Sequence, residues 1–100
     1  MRSIKKYVDQ IEEELEGAKE YAENYLHLKA MKGDQAWVAR YKEMANDELK
    51  HSTYLHELVV KEIGDLGKDF TAPQAMQERW SEAHRKFVED AALVKQMLSA

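Results

Sequence analysis

The sequence predicts an all-α fold: an antiparallel helical hairpin followed by a third helix. Three observations carry that reading. The chain of 100 residues holds only four Gly and one Pro. That is too little punctuation for an all-β chain, which turns about every 8–12 residues. Apolar residues recur at spacings of three and four, the period of one helix face. The composition is 44% apolar and 34% charged, and rich in the helix formers Glu, Lys, Ala and Leu. At this length one domain, residues 1–100, is expected.

The first helix is expected over 4–31. Its apolar stripe runs Ile4, Tyr7, Val8, Ile11, Leu15, Ala18, Ala22, Tyr25, Leu26. Gly33 suits the position just past a helix end, and Asp34 suits the next N-cap. The second helix is expected over 35–63, with the stripe Trp37, Tyr41, Met44, Ala45, Ser52, Leu55, Leu58, Val59. The short connection makes these two an antiparallel hairpin, 4–63. Gly64, Gly67 and Pro73 mark the second break. Thr71 and Gln74 have capping-box spacing, with Pro73 in the first turn. The third helix is expected over 72–98, with Met76, Trp80, Ala83, Phe87, Ala91, Val94 and Leu98 on one side.

Charge and composition exclude several functions. The balance is 15 basic against 19 acidic side chains, a net charge of −4. Such a chain is poorly suited to the phosphate backbone, so no nucleic-acid partner is expected. No cysteine is present, which removes thiolate metal sites and cysteine nucleophiles. No apolar run approaches the roughly 18 residues of a membrane span. The basic start, Met1 to Lys6, is followed by no apolar stretch of the signal-peptide kind, so a cytoplasmic location is expected.

Most of the 13 Glu fall on faces that a helix turns to water. Glu14 and Glu48 do not. Glu14 lies on the apolar side of the first helix, between Tyr7 and Tyr21. Glu48 lies near the centre of the second stripe, between Tyr41 and Leu55, and His51 shares its face. A buried carboxylate is costly unless paired or metal-bound. In an antiparallel hairpin, residues at one height have position numbers with a constant sum, here about 65 for a turn at Lys32-Gly33. Glu14 with His51 meets that sum, and Glu14 with Glu48 misses it by less than one turn. Face and height therefore agree independently. The bland alternative is an acid–imidazole pair satisfied within a helical core, with Tyr or Lys29 as a further partner.

One Glu on one helix and Glu-x-x-His on the next is half of the ligand set of ferritin-like di-iron proteins. Two hairpins would supply four carboxylates and two imidazoles. Such hard oxygen and imidazole donors suit iron, and also Mn or Zn.

The runs Ile11-Glu12-Glu13-Glu14-Leu15-Glu16-Gly17-Ala18-Lys19-Glu20-Tyr21 and Asn46-Asp47-Glu48-Leu49-Lys50-His51 resemble the encapsulated-ferritin type of half-ferritin. The resemblance covers roughly 4–63. It implies a homodimer, or a higher homo-oligomer, that forms a ferritin-like four-helix bundle. It further implies a ferroxidase centre at the dimer interface with two Fe per dimer. Glu14, Glu48 and His51 would be the metal ligands and catalytic residues: Glu14 bridging, Glu48 terminal or chelating, His51 capping each iron. The activity implied is oxidation of Fe(II) to Fe(III) by oxygen or peroxide, for storage or detoxification. Glu13 and Glu16 match acids that admit metal in the family, and an encapsulin shell is the implied larger partner. Short ferritin-like chains, phage-encoded ones among them, are also similar. The competing expectation is a helical self-association module with no metal and no catalysis, or a di-metal protein using Mn or Zn.

The remaining candidates are weaker. Tyr21 or Tyr41 could hydrogen-bond a ligand carboxylate, though plain core is the commoner role. The acidic run from Asp9 to Glu23 could draw cations inward, or simply be a solvated face. Glu62 lies on the second stripe at the helix end, where an acid reaches water. His84 reads as a boundary residue at the edge of the third stripe, with Asp90 nearby as an unsupported further ligand. His27 and His56 fall outside the stripes and receive no role.

Overall fold

The computed structural model describes residues 2–66 and 74–100. Three helices account for nearly all of them: α1, Arg2–Ala30; α2, Gln35–Leu66; α3, Gln74–Leu98. The expected capping box at Thr71 and Pro73 lies outside the described residues. Among the described residues, no helix is long and apolar enough to cross a membrane.

The turn between α1 and α2 corrects one local expectation. Gly33 N–H donates to Leu28 O at 2.8 Å, and Lys32 N–H to Lys29 O at 3.1 Å. These are the two bonds of a Schellman motif, in which the residue before the last takes the left-handed conformation. That residue is Lys32, with φ 55°, and not Gly33. Gly33 serves by being small: a Cβ there would stand 3.1 Å from Leu28 Cδ2 and 3.2 Å from Leu28 O. Asp34 caps α2 as expected, its Oδ1 accepting Ala36 N–H at 2.8 Å. The second break comes later than the glycines suggested. Gly64 has open space around it, and α2 continues through it to Leu66.

α1 and α2 pack along their length, and α3 lies mainly on α1. The α1 stripe is buried throughout at Ile4, Val8, Ile11, Leu15, Ala18, Ala22 and Tyr25. Ala18, Ala22 and Ala45 have no exposure at all, and their small side chains let the helix axes approach. Ser52 is fully buried and donates to Leu49 O at 2.7 Å, so its hydroxyl is satisfied within its own helix. Two buried α2 residues, Val38 and Leu49, lie outside the expected stripe, while Trp37, expected in it, is 45% exposed. The stripe is rotated slightly from the sequence reading, and Trp37 falls on its open edge.

Three contacts give the register of α3. Arg79 Nη2 donates to Asp9 Oδ1 at 2.9 Å, Lys19 Nζ meets Asp90 Oδ1 at 2.9 Å, and Tyr25 Oη donates to Ala100 O at 3.1 Å. Positions rise together, so α3 runs parallel to α1 and antiparallel to α2. All its expected stripe residues are buried or half-buried. The helix therefore covers its own hairpin, and it covers one side only. Asp9 and Lys19 each lie about 140° around α1 from Glu14 at 3.6 residues per turn, whereas Tyr25, about 20° away, reaches only Ala100, beyond the end of α3. Among the described residues, the hairpin edge bearing Glu14 is left open to solvent, with the Glu14 and His51 side chains 28% and 55% exposed.

Candidate metal centre

Glu14, Glu48 and His51 converge on that open face. One ligand atom from each lies within 4.8 Å of the other two. His51 Nδ1 stands 3.3 Å from Glu14 Oε2 across the hairpin. Glu14 and Glu48 are half-buried, whereas the His51 side chain is 55% exposed. The cluster is thus supported from below by the core and reachable from solvent.

Local structure explains the convergence. Helical period puts Glu14 between Tyr7 and Tyr21, and Glu48 in register with Tyr41 and Leu55. The tight Lys32-Gly33 turn sets the heights. Space for the Glu48 carboxylate comes from Gly17, one turn after Glu14. A Cβ at Gly17 would lie 3.3 Å from Glu48 Oε2. Sequence alone assigns Gly17 no role. The available signal was a mid-helix Gly, which costs helix stability unless something needs the space.

The electrostatics are those of two acids sharing one proton. The Glu48 pKa is raised from 4.5 to about 7. The hydrogen bond with Glu14 is the largest cause, followed by partial burial and the Glu14 charge, while His51 acts the other way. Below about pH 7 Glu48 therefore keeps a proton that an isolated carboxyl would have released. A cation offers the same relief as that proton and more charge. Two carboxylates and an imidazole form the kind of oxygen-rich, mixed donor set that suits Fe, Mn or Zn ions.

Other sequence candidates go elsewhere. Glu13 and Glu16 are exposed and line an acidic trough with Asp9, Glu12, Glu20 and Glu23, bordered by Lys19, Lys86 and Asp90. This trough follows the α1–α3 seam, turned away from the Glu14 edge. Asp90 is engaged by Lys19 there and stands apart from the cluster. Tyr21 and Tyr41 pack on each other with ring centroids 6.2 Å apart, and Trp37 continues the row at 5.9 Å from Tyr41. Glu62 is half-buried near the end of α2, and His27 is exposed.

His56 departs from the sequence expectation, whereas His84 sits at the boundary of the α3 stripe. His56 is half-buried, stacked on Phe87 at 4.4 Å and beside Trp80 at 5.1 Å. Its Nε2 lies 2.7 Å from His84 Nδ1. The missed signal was spacing: His56 is four residues after Ser52 and three before Val59, both fully buried.

Comparison with protein-family models, curated proteins and solved structures finds no match for the chain.

Proposed function

We propose that this chain is one half of a ferritin-like iron oxidase. Two copies would pair open face to open face, completing a four-helix bundle with a di-iron carboxylate centre between them. The observation that carries this reading is the convergence of Glu14, Glu48 and His51 on a hairpin edge that is open to solvent among the described residues. A ligand set facing solvent on an otherwise half-apolar surface is incomplete as it stands. A two-fold axis through that surface would supply the second set.

In this reading Glu14, Glu48 and His51 of each copy would hold the metals, Glu14 as the shared ligand, Glu48 as a terminal one and His51 as the imidazole donor to each. Iron bound there would pass one electron each to oxygen or peroxide. The protein's own contribution is fixed geometry, a shared negative charge and an exposed imidazole edge through which Fe(II) enters. Binding would displace the proton held between Glu14 and Glu48, so uptake is coupled to proton release. The same donors accept Mn(II) or Zn(II).

The test is aerobic addition of Fe(II) to the purified chain. Iron per chain and the near-ultraviolet absorbance of oxidised iron are then measured. About one iron per chain follows from the ligand arithmetic of two metals per pair of hairpins. Glu48→Ala should abolish both signals while leaving helicity intact. If the wild type binds no iron, and Glu14→Ala has an unchanged oligomeric state, the oxidase reading fails. The exposed Trp37 beside Tyr41 and half-buried Leu55 would then favour self-association without metal.

A further inference from the structure

The geometry points to an acid-sensitive clasp between α2 and α3: the hydrogen bond between His56 and His84 holds the N-terminal half of α3 against the hairpin near neutral pH, and protonation of the two imidazoles releases it. His56 comes from α2 and His84 from α3. Nε2 of the first lies 2.7 Å from Nδ1 of the second, and the ring centroids are 5.0 Å apart. At those distances the rings meet head-on, which is the geometry of an N–H···N hydrogen bond. One nitrogen carries the hydrogen and the other the lone pair.

Proton counting gives the switch. A first added proton leaves the bond intact while the other ring keeps its lone pair. A second places a hydrogen on every ring nitrogen. Two N–H groups then oppose one another, and two positive charges face each other at hydrogen-bond distance. Burial, the larger cause, and the neighbouring His84 both lower the His56 pKa from 6.5, while Glu57 acts the other way. The closed arrangement therefore takes up its proton less readily than an opened one, and acid favours opening.

Little nearby offsets the added charge. One turn before and after His56 stand Ser52, Thr53, Val59 and Val60, none of them charged. His84 is placed likewise among Trp80, Ser81, Phe87 and Val88. Phe87 stacks on the His56 ring at 4.4 Å and Trp80 lies at 5.1 Å. Arg85, next to His84 in the chain, is held by Glu82 and Glu89. In the hairpin register, position 9 of α1 lies opposite His56. Asp9 is engaged there by Arg79, and Val8 and Ile11 beside it are apolar and buried. Glu12 lines a different surface with Arg79, Glu82 and Lys86. Glu57 is thus the acid acting on the pair. The consequence is mechanical: α3 touches α2 far less than it touches α1, so one hydrogen bond and its aromatic stack are a large share of what joins them.

The experiment follows amide hydrogen exchange, which reports local opening, in the full chain without an affinity tag and in chelator. Protection is compared at about pH 7.5 and about pH 5.5 after correction for the intrinsic exchange rate. An imidazole that regains its ordinary 6.5 on opening favours the open state by up to about tenfold more at the lower pH. The expected result is a loss of protection of up to that size in the α3 peptides around Trp80 and His84, with no such loss in α1 and with helicity retained. His56→Phe keeps a ring between Phe87 and Trp80 but takes no proton, so it should abolish the loss. His84→Gln removes one charge and leaves His56 buried, so it should reduce the loss. Circular dichroism establishes that each variant is folded; should His56→Phe unfold, His84→Gln decides. No loss in the wild type, an equal loss in α1, or the full loss retained by either folded variant overturns the clasp and leaves a static His–His hydrogen bond.

Discussion

Gly17 and Glu48 meet across the hairpin: a Cβ on the first would stand 3.3 Å from Oε2 of the second. The glycine sits mid-way along α1, where alanine would favour the helix by about 1 kcal/mol. The space it leaves is filled by the Glu48 carboxylate. Gly17→Ala should therefore separate stability from binding. The metal-free variant is expected to melt higher, by roughly 4–8 °C per kcal/mol for a domain of this size. The added methyl would push the carboxylate aside by a few tenths of an ångström, so Fe(II) or Mn(II) affinity should fall. Thermal melts in chelator and calorimetric titration check the two halves. A variant that binds metal as well as wild type would show that Glu48 is not confined by Gly17.

The shared proton makes stability depend on pH with a definite sign. Glu48 titrates at about 7 in the folded chain against 4.5 as the ordinary value. Between those values the folded protein holds a proton that the unfolded chain has released. Stability in chelator should thus be highest on the acid side of this window and fall as pH rises through about 7. Glu48→Gln should remove that fall, and Glu14→Gln should shrink it by removing its largest cause. His56 acts oppositely: its lowered pKa means that stability is lost as pH falls below 6.5 and through its folded value. Urea midpoints from pH 5 to 8, in wild type and in Glu48→Gln, separate the two contributions. Added divalent metal should flatten the loss on the alkaline side.

The turn offers a paired test. Lys32 holds φ 55°, a conformation that costs an L-residue roughly 1–2 kcal/mol. Lys32→Gly should stabilise the protein by about 1 kcal/mol, since glycine adopts it freely. Asp34→Ala should destabilise by about 1 kcal/mol, because the Ala36 N–H then loses its cap. Both are read as shifts in urea midpoint at constant slope. Gly33→Ala should also destabilise, although its φ is not positive, because its Cβ would press on the Leu28 carbonyl.

Much of the candidate centre was legible before the structure. Glu14 and Glu48 interrupt apolar stripes, and a short turn makes height a matter of counting. These are local facts: helical period sets the face and the turn sets the register. Gly17 was harder to see, because a missing side chain has meaning only once its neighbour is known. Lys32 was misjudged for a related reason. Glycine is the usual residue in the left-handed position, but here Leu28 requires the smallness of Gly33 one residue later, and the strain passes to lysine.

By itself the sequence determined the three helices, the antiparallel hairpin, and the shared height and edge of Glu14, Glu48 and His51. Periodicity and one tight turn suffice for each. Only the tertiary structure decided which side of the hairpin α3 covers, and hence which face stays open. It alone also brought His56 to His84 and turned the acids of the α1–α3 seam away from the Glu14 edge. The physical reason is that α3 docks through contacts distant in the chain. Ala83, Val94 and Leu98 are buried, and Arg79 and Asp90 find Asp9 and Lys19, at a rotation and side that helical period within α3 does not specify.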